Sequence, residues 1–502
     1  MASITETAEY KAEKKFGGPK FAELKLLERV RDDHETKRRG IEFRTIPEFY
    51  SPGFGLWRSM MSNGLSPWLK DARMHMGNVW QAYDQVIRGE SIDESVLGKA
   101  HDFFGLRTYE GKHFEAFGEN EFRNRNLGKI KRFINENSKH VRETRNFLER
   151  IDSRTLLYRS SMGIEDKLKG TQGLFETYST GGFSWKPEQA ARHIDTFLNA
   201  NLATSIFEQR PTQMNYILCG YIKSTSGGVC LSSINGKGQH YVELAHDASK
   251  ITTGSMAGSI NQIIGNSEEF EIRYASNDRA NKYELPKQNI NGTQSFSSET
   301  QVRNLLKVID YLEELYGTNV DVEFLFEEGE EVPTILQIRE SPIKRSDNPI
   351  TDEEWNSADY QVPLVIKPGE FLGIVINSQS YENHIHDYKS EQIAELKKCD
   401  QKNPDGYAYS CLLGTISGHT DVSLGKYKVH GRPIDIVTSI SKNCKVLIND
   451  YDILNKGGHF HLRLTDQGHP EFYMSMPNFN VPDGTRIHAR SDGYRGIINV
   501  VK

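Results

Sequence analysis

The sequence predicts a mixed α+β / α/β, multidomain protein, on three observations. Its 502 residues suit roughly three domains at about 150 residues each. A helical stripe of Val302, Leu305, Leu306, Ile309 and Leu312 runs straight into two-residue alternation over 320–326 and again over 334–339. After about 360 a second series of short strand-like runs begins, separated by turn formers.

The elements follow in chain order. Residues 20–150 read as mostly helical and rich in aromatics, with an amphipathic stripe through Leu127, Ile130, Phe133 and Ile134 and on to Val141, Phe147, Leu148 and Ile151. From 154 to 317, short strands at 155–158, 215–222, 228–234 and 241–245 mix with helices at about 187–202 and 299–316. The second helix stops at Gly317, a residue suited to the left-handed turn that ends helices. Residues 342–363 lose periodicity and gather turn formers, as a linker does. Beyond it, strands are expected at 371–376, 410–416, 434–438, 445–448, 472–474 and 486–490.

The 320–340 segment carries the most chemistry. Alternation sends Val320, Val322, Phe324 and Phe326 to one face of a strand and Asp321 and Glu323 to the other. In the second strand, Thr334, Leu336 and Ile338 separate from Ile335, Gln337 and Arg339. If the intervening acidic turn closes a hairpin, Asp321, Glu323, Gln337 and Arg339 share one surface. Oxygen donors of this kind suit magnesium, and a fixed cation beside them suits a phosphate. A solvated outer face would show the same pattern.

Two further segments bear on that choice. Arg159 leaves a strand and enters a Gly- and hydroxyl-rich loop that includes Ser160, Thr171 and Gly173, where backbone N–H groups and a bidentate guanidinium can meet phosphate oxygens. Near the start, Gly17 and Gly18 precede Lys20 at a helix N-terminus, where an ammonium and the helix dipole can act together on an anion.

Composition narrows the functions. The formal net charge of −6 argues against nonspecific nucleic-acid binding, so any phosphate site is locally positive. No apolar run approaches the roughly 20 residues a membrane span needs, and the first residues have no secretory pattern, which points to the cytoplasm. Five cysteines, none in CxxC spacing, read as buried thiols rather than a disulfide or zinc framework.

In order along the chain stand Gly17-Gly18-Pro19-Lys20-Phe21-Ala22-Glu23-Leu24, then Arg159-Ser160-Ser161 with Glu165-Asp166 and the Gly173 to Tyr178 tail, then Gly227-Gly228-Val229, then Asp321 and Glu323, and Leu336-Gln337-Ile338-Arg339. This order resembles the ATP-grasp domain of pyruvate phosphate dikinase and phosphoenolpyruvate synthase, over about residues 14–345. The resemblance implies that Lys20 and Arg159 hold ATP phosphates, that Glu323 and Gln337 bind Mg2+, and that Arg339 contacts the terminal phosphates. It also implies that Glu243 lies beside the nucleotide. The position bordering adenine, a glutamine in the family, falls on Cys219, and Pro19 is inserted before Lys20. Further on, Gly457-Gly458-His459 with Gly468 and Pro470 is similar to the phosphohistidine motif of the family's swivelling domain. It departs from that motif in having glycine where the family has serine before the histidine.

The resemblance implies residues 1–200 as the first part of an ATP-grasp unit with an insertion at about 40–150, 201–345 as its second part, 346–362 as a linker and 363–502 as a swivelling domain. It implies an ATP-dependent phosphotransferase in which His459 takes a phosphoryl group from Mg-ATP, giving AMP and phosphate; His461 and His419 are lesser rivals. The acceptor, a small molecule or a partner protein, is not indicated. Two other readings stay open: an ATP-grasp kinase or ligase without a phosphohistidine, and a nucleotide-binding protein without catalysis.

Overall fold

The computed structural model describes residues 4–88, 90–104, 139–151, 156–162, 178–179, 189–207, 213–233, 238–246, 259–276, 286, 288–341, 348–362, 364–377, 398–411, 420–424, 427–431, 443–449, 471–476, 479–493 and 495–501. Helices and several sheets alternate along the chain, so the fold is mixed α/β, as the sequence predicts.

The helix Glu299–Tyr316 begins in a capping box: the Ser298 hydroxyl accepts from the Gln301 backbone N–H at 3.2 Å, and the Gln301 side chain accepts from the Ser298 N–H at 2.9 Å. It ends at Gly317, whose φ of 68° is the left-handed conformation anticipated there. Its buried stripe, Val302, Leu305, Leu306, Ile309 and Leu312, packs under a seven-stranded sheet and shares a core with Val320, Val322, Phe324 and Phe326.

That sheet runs Arg44–Thr45, Thr334–Glu340, Val320–Glu327, Ser224–Leu231, His240–Ala245, Ser259–Gly265, Phe270–Ser276, antiparallel throughout except for the first pair. Its last two strands were not anticipated from the sequence. A smaller antiparallel sheet joins Phe49–Tyr50, Tyr216–Gly220, Leu156–Ser160 and Tyr178–Ser179. Between the two sheets, Leu24, Ile46, Ile217 and Cys219 form a compact apolar cluster with Phe21, Leu157 and Leu336 against it.

The aromatic-rich stretch serves packing. Trp57 and Tyr83 are buried in the largest core, and Trp68 and Trp80 pack against it. The same core takes in Ile376, Tyr407, Tyr409, Leu447 and Tyr473 from the second half of the chain. There, an eight-stranded sheet has the parallel strands Pro368–Asn377, Tyr407–Cys411, Cys444–Asn449 and Phe472–Ser475 at its centre and antiparallel strands at its flanks. Between the halves, residues 348–362 include the helix Asp352–Ser357 and the edge strand Tyr360–Val362.

Candidate nucleotide-phosphate site

The hairpin closes as anticipated, with one difference that shapes the site. Asp321 pairs with Arg339, Val322 with Ile338 and Glu323 with Gln337, but Phe324 then pairs with Ile335, leaving Leu336 as a bulge. The extra residue reverses the assignment of its neighbours. Ile335 joins the apolar core with Phe324, and Leu336 turns to the polar side, where it meets Leu24 and Cys219. Strict alternation over 334–339 is therefore corrected: an extra residue on one strand breaks the two-residue period.

A bulged residue also leaves the ladder, which frees its backbone groups for other partners. The Leu336 carbonyl accepts from Arg159 Nη1 at 3.0 Å. Arg159 Nη2 lies 3.4 Å from Gln337 Oε1 and 3.6 Å from Glu323 Oε2. One guanidinium thus bridges the smaller sheet and the hairpin. Its face on the Leu156–Ser160 strand also carries Leu157, which pairs with Cys219 on the neighbouring strand.

The polar side of the hairpin is not a solvated face. Asp321 and Gln337 are 3% and 5% exposed, which requires partners for their polar atoms. Asp321 Oδ2 accepts from Arg339 Nε at 2.8 Å and from Nη2 at 2.7 Å. Burial pushes the Asp321 carboxyl up, and the Arg339 guanidinium opposes that push. Burial likewise works against the charge of Arg339, but Asp321, Glu323 and Glu23 hold it above its ordinary range. Glu23, a residue that sequence reasoning passed over, is buried on the helix Pro19–Asp32. Its spacing from Lys20 is a helical i,i+3 step, and that step is the signal that could have found it.

Across the sheet the ladder places Gln337, Glu323, Val229, Glu243 and Gln262 in one row, all on the same face. Glu243 is fully buried and accepts from the Tyr241 hydroxyl at 2.8 Å. Strand spacing puts its backbone about 10 Å from that of Glu323, two strands away.

Lys20 is the second residue of its helix, and its Nζ donates to Ser160 Oγ at 3.1 Å. Three side-chain links, Lys20 with Ser160, Arg159 with Glu323 and Gln337, and Asp321 with Arg339, in this way gather where the helix, the smaller sheet and the hairpin meet. Cys219 stands behind them, 1% exposed, its thiol pushed up to about 11 by burial. Thr171, Gly173, His459, His461 and His419 lie outside the described residues.

As a donor set, Glu323 and Gln337 supply hard oxygens side by side, whereas the Asp321 oxygen nearest Arg339 is engaged by it. Among the described residues no group of three or more His, Cys, Asp or Glu side chains could hold a metal ion. Among them, too, no helix is long and apolar enough to cross a membrane.

No protein-family model matches this sequence, and no curated protein matches it. One solved structure with a likeness to the chain is L-amino acid ligase from Bacillus licheniformis, at 11% identity and a TM-score of 0.19. The match covers 48% of this chain and 47% of that one, so the chain spans about half the length of the protein it matches.

Proposed function

We propose that the chain is an ATP-dependent enzyme whose ATP-grasp-like half binds Mg-ATP with its phosphates at the junction of Lys20, Arg159 and the 320–340 hairpin. The observation that carries this reading is the placement of Arg159 within 3.6 Å of both Glu323 and Gln337. Two magnesium-type oxygens and a phosphate-type guanidinium meet there, with the Lys20 ammonium at the next residue of the same strand. Glu323 and Gln337 would hold Mg2+, which characteristically takes one or two protein oxygens and completes its shell with waters and substrate phosphates. Bound there, the ion would neutralise charge developing on the transferred group.

The chain's own residues have separable tasks. Arg159 and Lys20 orient phosphate oxygens. Arg339, held by Asp321, supplies a fixed positive charge whose position costs no reorganisation during transfer. Charge balance supports a divalent cation: Glu23, Glu243, Asp321 and Glu323 are four formal negative charges against the three positive charges of Lys20, Arg159 and Arg339.

For the transfer itself, we favour the dikinase-like route suggested by the Gly458-His459 motif: His459, as a neutral imidazole, attacks the β-phosphorus of ATP and displaces AMP, water cleaves the terminal phosphate from the pyrophosphoryl group it then carries, and the remaining phosphoryl group passes to an acceptor. A second reading, direct transfer or ligation without a histidine, is favoured by the shared core of Tyr407, Tyr409, Leu447 and Tyr473 with the N-terminal helices, because a packed core resists the swing a shuttle requires. Incubation with β- and γ-labelled ATP separates the two. Acid-labile label on the protein, lost in His459→Ala, together with AMP, supports the shuttle. ADP or phosphate release without labelled protein supports the second reading, and absence of any Mg-ATP binding overturns both.

A further inference from the structure

The helix that carries Lys20 has no cap of its own. Gly18, at its N-cap, has no side chain, and Pro19 contributes no N–H. The capping hydroxyl belongs instead to Ser161, which accepts from the Phe21 backbone N–H at 3.2 Å and donates to the Gly17 carbonyl at 2.7 Å. That carbonyl also accepts from Asn215 Nδ2 at 2.6 Å, and the Ser161 N–H donates to the Asn215 carbonyl at 3.1 Å. Gly17, Ser161 and Asn215 thus close a buried ring at the head of the helix.

The ring leaves little room. Gly18 adopts a φ of +88°, and a Cβ there would fall 2.8 Å from both the carbonyl and the hydroxyl oxygen of Ser161. The same Asn215 Nδ2 also donates to Ser51 Oγ at 2.8 Å, which fixes the amide further. One residue before Ser161 stands Ser160, which receives Lys20 Nζ. The ring therefore fixes the helix head against the very strand end that Lys20 and Arg159 share.

We propose that Ser161 and Asn215 are positioning residues that set Lys20 over the Arg159–Ser160 strand end, and that through Lys20 they govern affinity for the triphosphate of a nucleotide. The role presupposes nucleotide binding at Lys20, as set out above. Neither residue is itself assigned to the ligand. Loss of the Ser161 hydroxyl strips the Phe21 N–H of its capping partner and leaves the Gly17 carbonyl with Asn215 Nδ2 alone, so the first turn frays and the ammonium leaves its place.

A double-mutant cycle on the full chain tests this, with Mg-ATP and AMP binding followed by isothermal titration calorimetry. Ser161→Ala should weaken Mg-ATP about fivefold to tenfold and leave AMP unchanged, a loss on the scale of one helix cap. Ser161→Thr should restore most of the affinity. In a Lys20→Ala background, Ser161→Ala should add nothing, since the coupled group is gone. Equal losses for ATP and AMP, or additive losses in the double variant, would mark Ser161 as merely structural and overturn the role. A Lys20→Ala protein that binds Mg-ATP like wild type would overturn both the role and the nucleotide reading at Lys20. Should Ser161→Ala fail to fold, Asn215→Ala, which removes the amide donor to Gly17, replaces it in the same cycle with the same expected and contrary outcomes.

Discussion

Arg159 reaches across from one sheet to the carbonyl of Leu336 on another, at 3.0 Å, and that carbonyl is available because Leu336 is the bulged residue of its strand. The contact ties a backbone irregularity to the orientation of a guanidinium. With Nη1 occupied by the carbonyl, Nη2 is directed at Glu323 and Gln337.

Lysine cannot reproduce that fork. Arg159→Lys keeps the charge but offers one compact ammonium where two directed N–H groups act. Mg-ATP affinity should fall about tenfold or more by calorimetry, with AMP affinity changing less. Equal affinity in the variant would show that Arg159 only joins the two sheets.

The buried Asp321–Arg339 pair should be costly to break and cheaper to replace. Asp321→Asn leaves Arg339 without its bonded carboxylate and should lower unfolding free energy by about 3–5 kcal/mol in urea titrations, toward the low end because Glu323 and Glu23 remain near. The paired variant Asp321→Leu with Arg339→Met should recover much of that loss while abolishing nucleotide-dependent activity.

Glu323→Gln removes one of two adjacent oxygen donors without changing shape. The Mg2+ concentration for half-maximal ATP binding should rise about tenfold, the size typical for loss of a charged ligand contact. Gln337→Ala should give a smaller rise. An unchanged Mg2+ requirement in both variants would place the ion elsewhere.

Stability should depend on pH through His193, whose ring stacks on Tyr158 at 6.4 Å between centroids. Burial first, and the neighbouring Arg192 second, lower its folded value from 6.5 to about 4. The unfolded chain therefore binds the proton more readily than the folded one. Stability from this group is present above pH 6.5 and is lost as pH falls toward about 4. Thermal melts across that window should show a fall in Tm that is shallower in His193→Gln.

Much of this was legible in the sequence where local pattern and local chemistry agreed. The helix stripe ending at Gly317 and the paired faces of Asp321 with Glu323 emerged from periodicity alone. The Leu336 bulge did not, because alternation on one strand carries no record of an extra residue opposite its partner. Nor did the Ser161–Asn215 ring, whose members stand 144 and 198 residues from Gly17 and share no local signature. The strand Ser259–Gly265 escaped for another reason: Asn261 and Gln262 interrupt its apolar run, and only the sheet shows that Asn261 is buried, donating to the Gln294 carbonyl at 2.7 Å.

The bulge also makes the hairpin separable by length. With Leu336 excised, Ile335 would still oppose Phe324, Gln337 would still oppose Glu323, and Arg339 would still oppose Asp321, now in unbroken alternation. What would vanish is the carbonyl that Arg159 grips. A one-residue deletion, ordinarily ruinous in a central strand, would here keep the Glu323 and Gln337 oxygens side by side while removing the arginine's anchor and the Leu336 packing on Leu24 and Cys219, so chain length itself distinguishes the two sides of the junction.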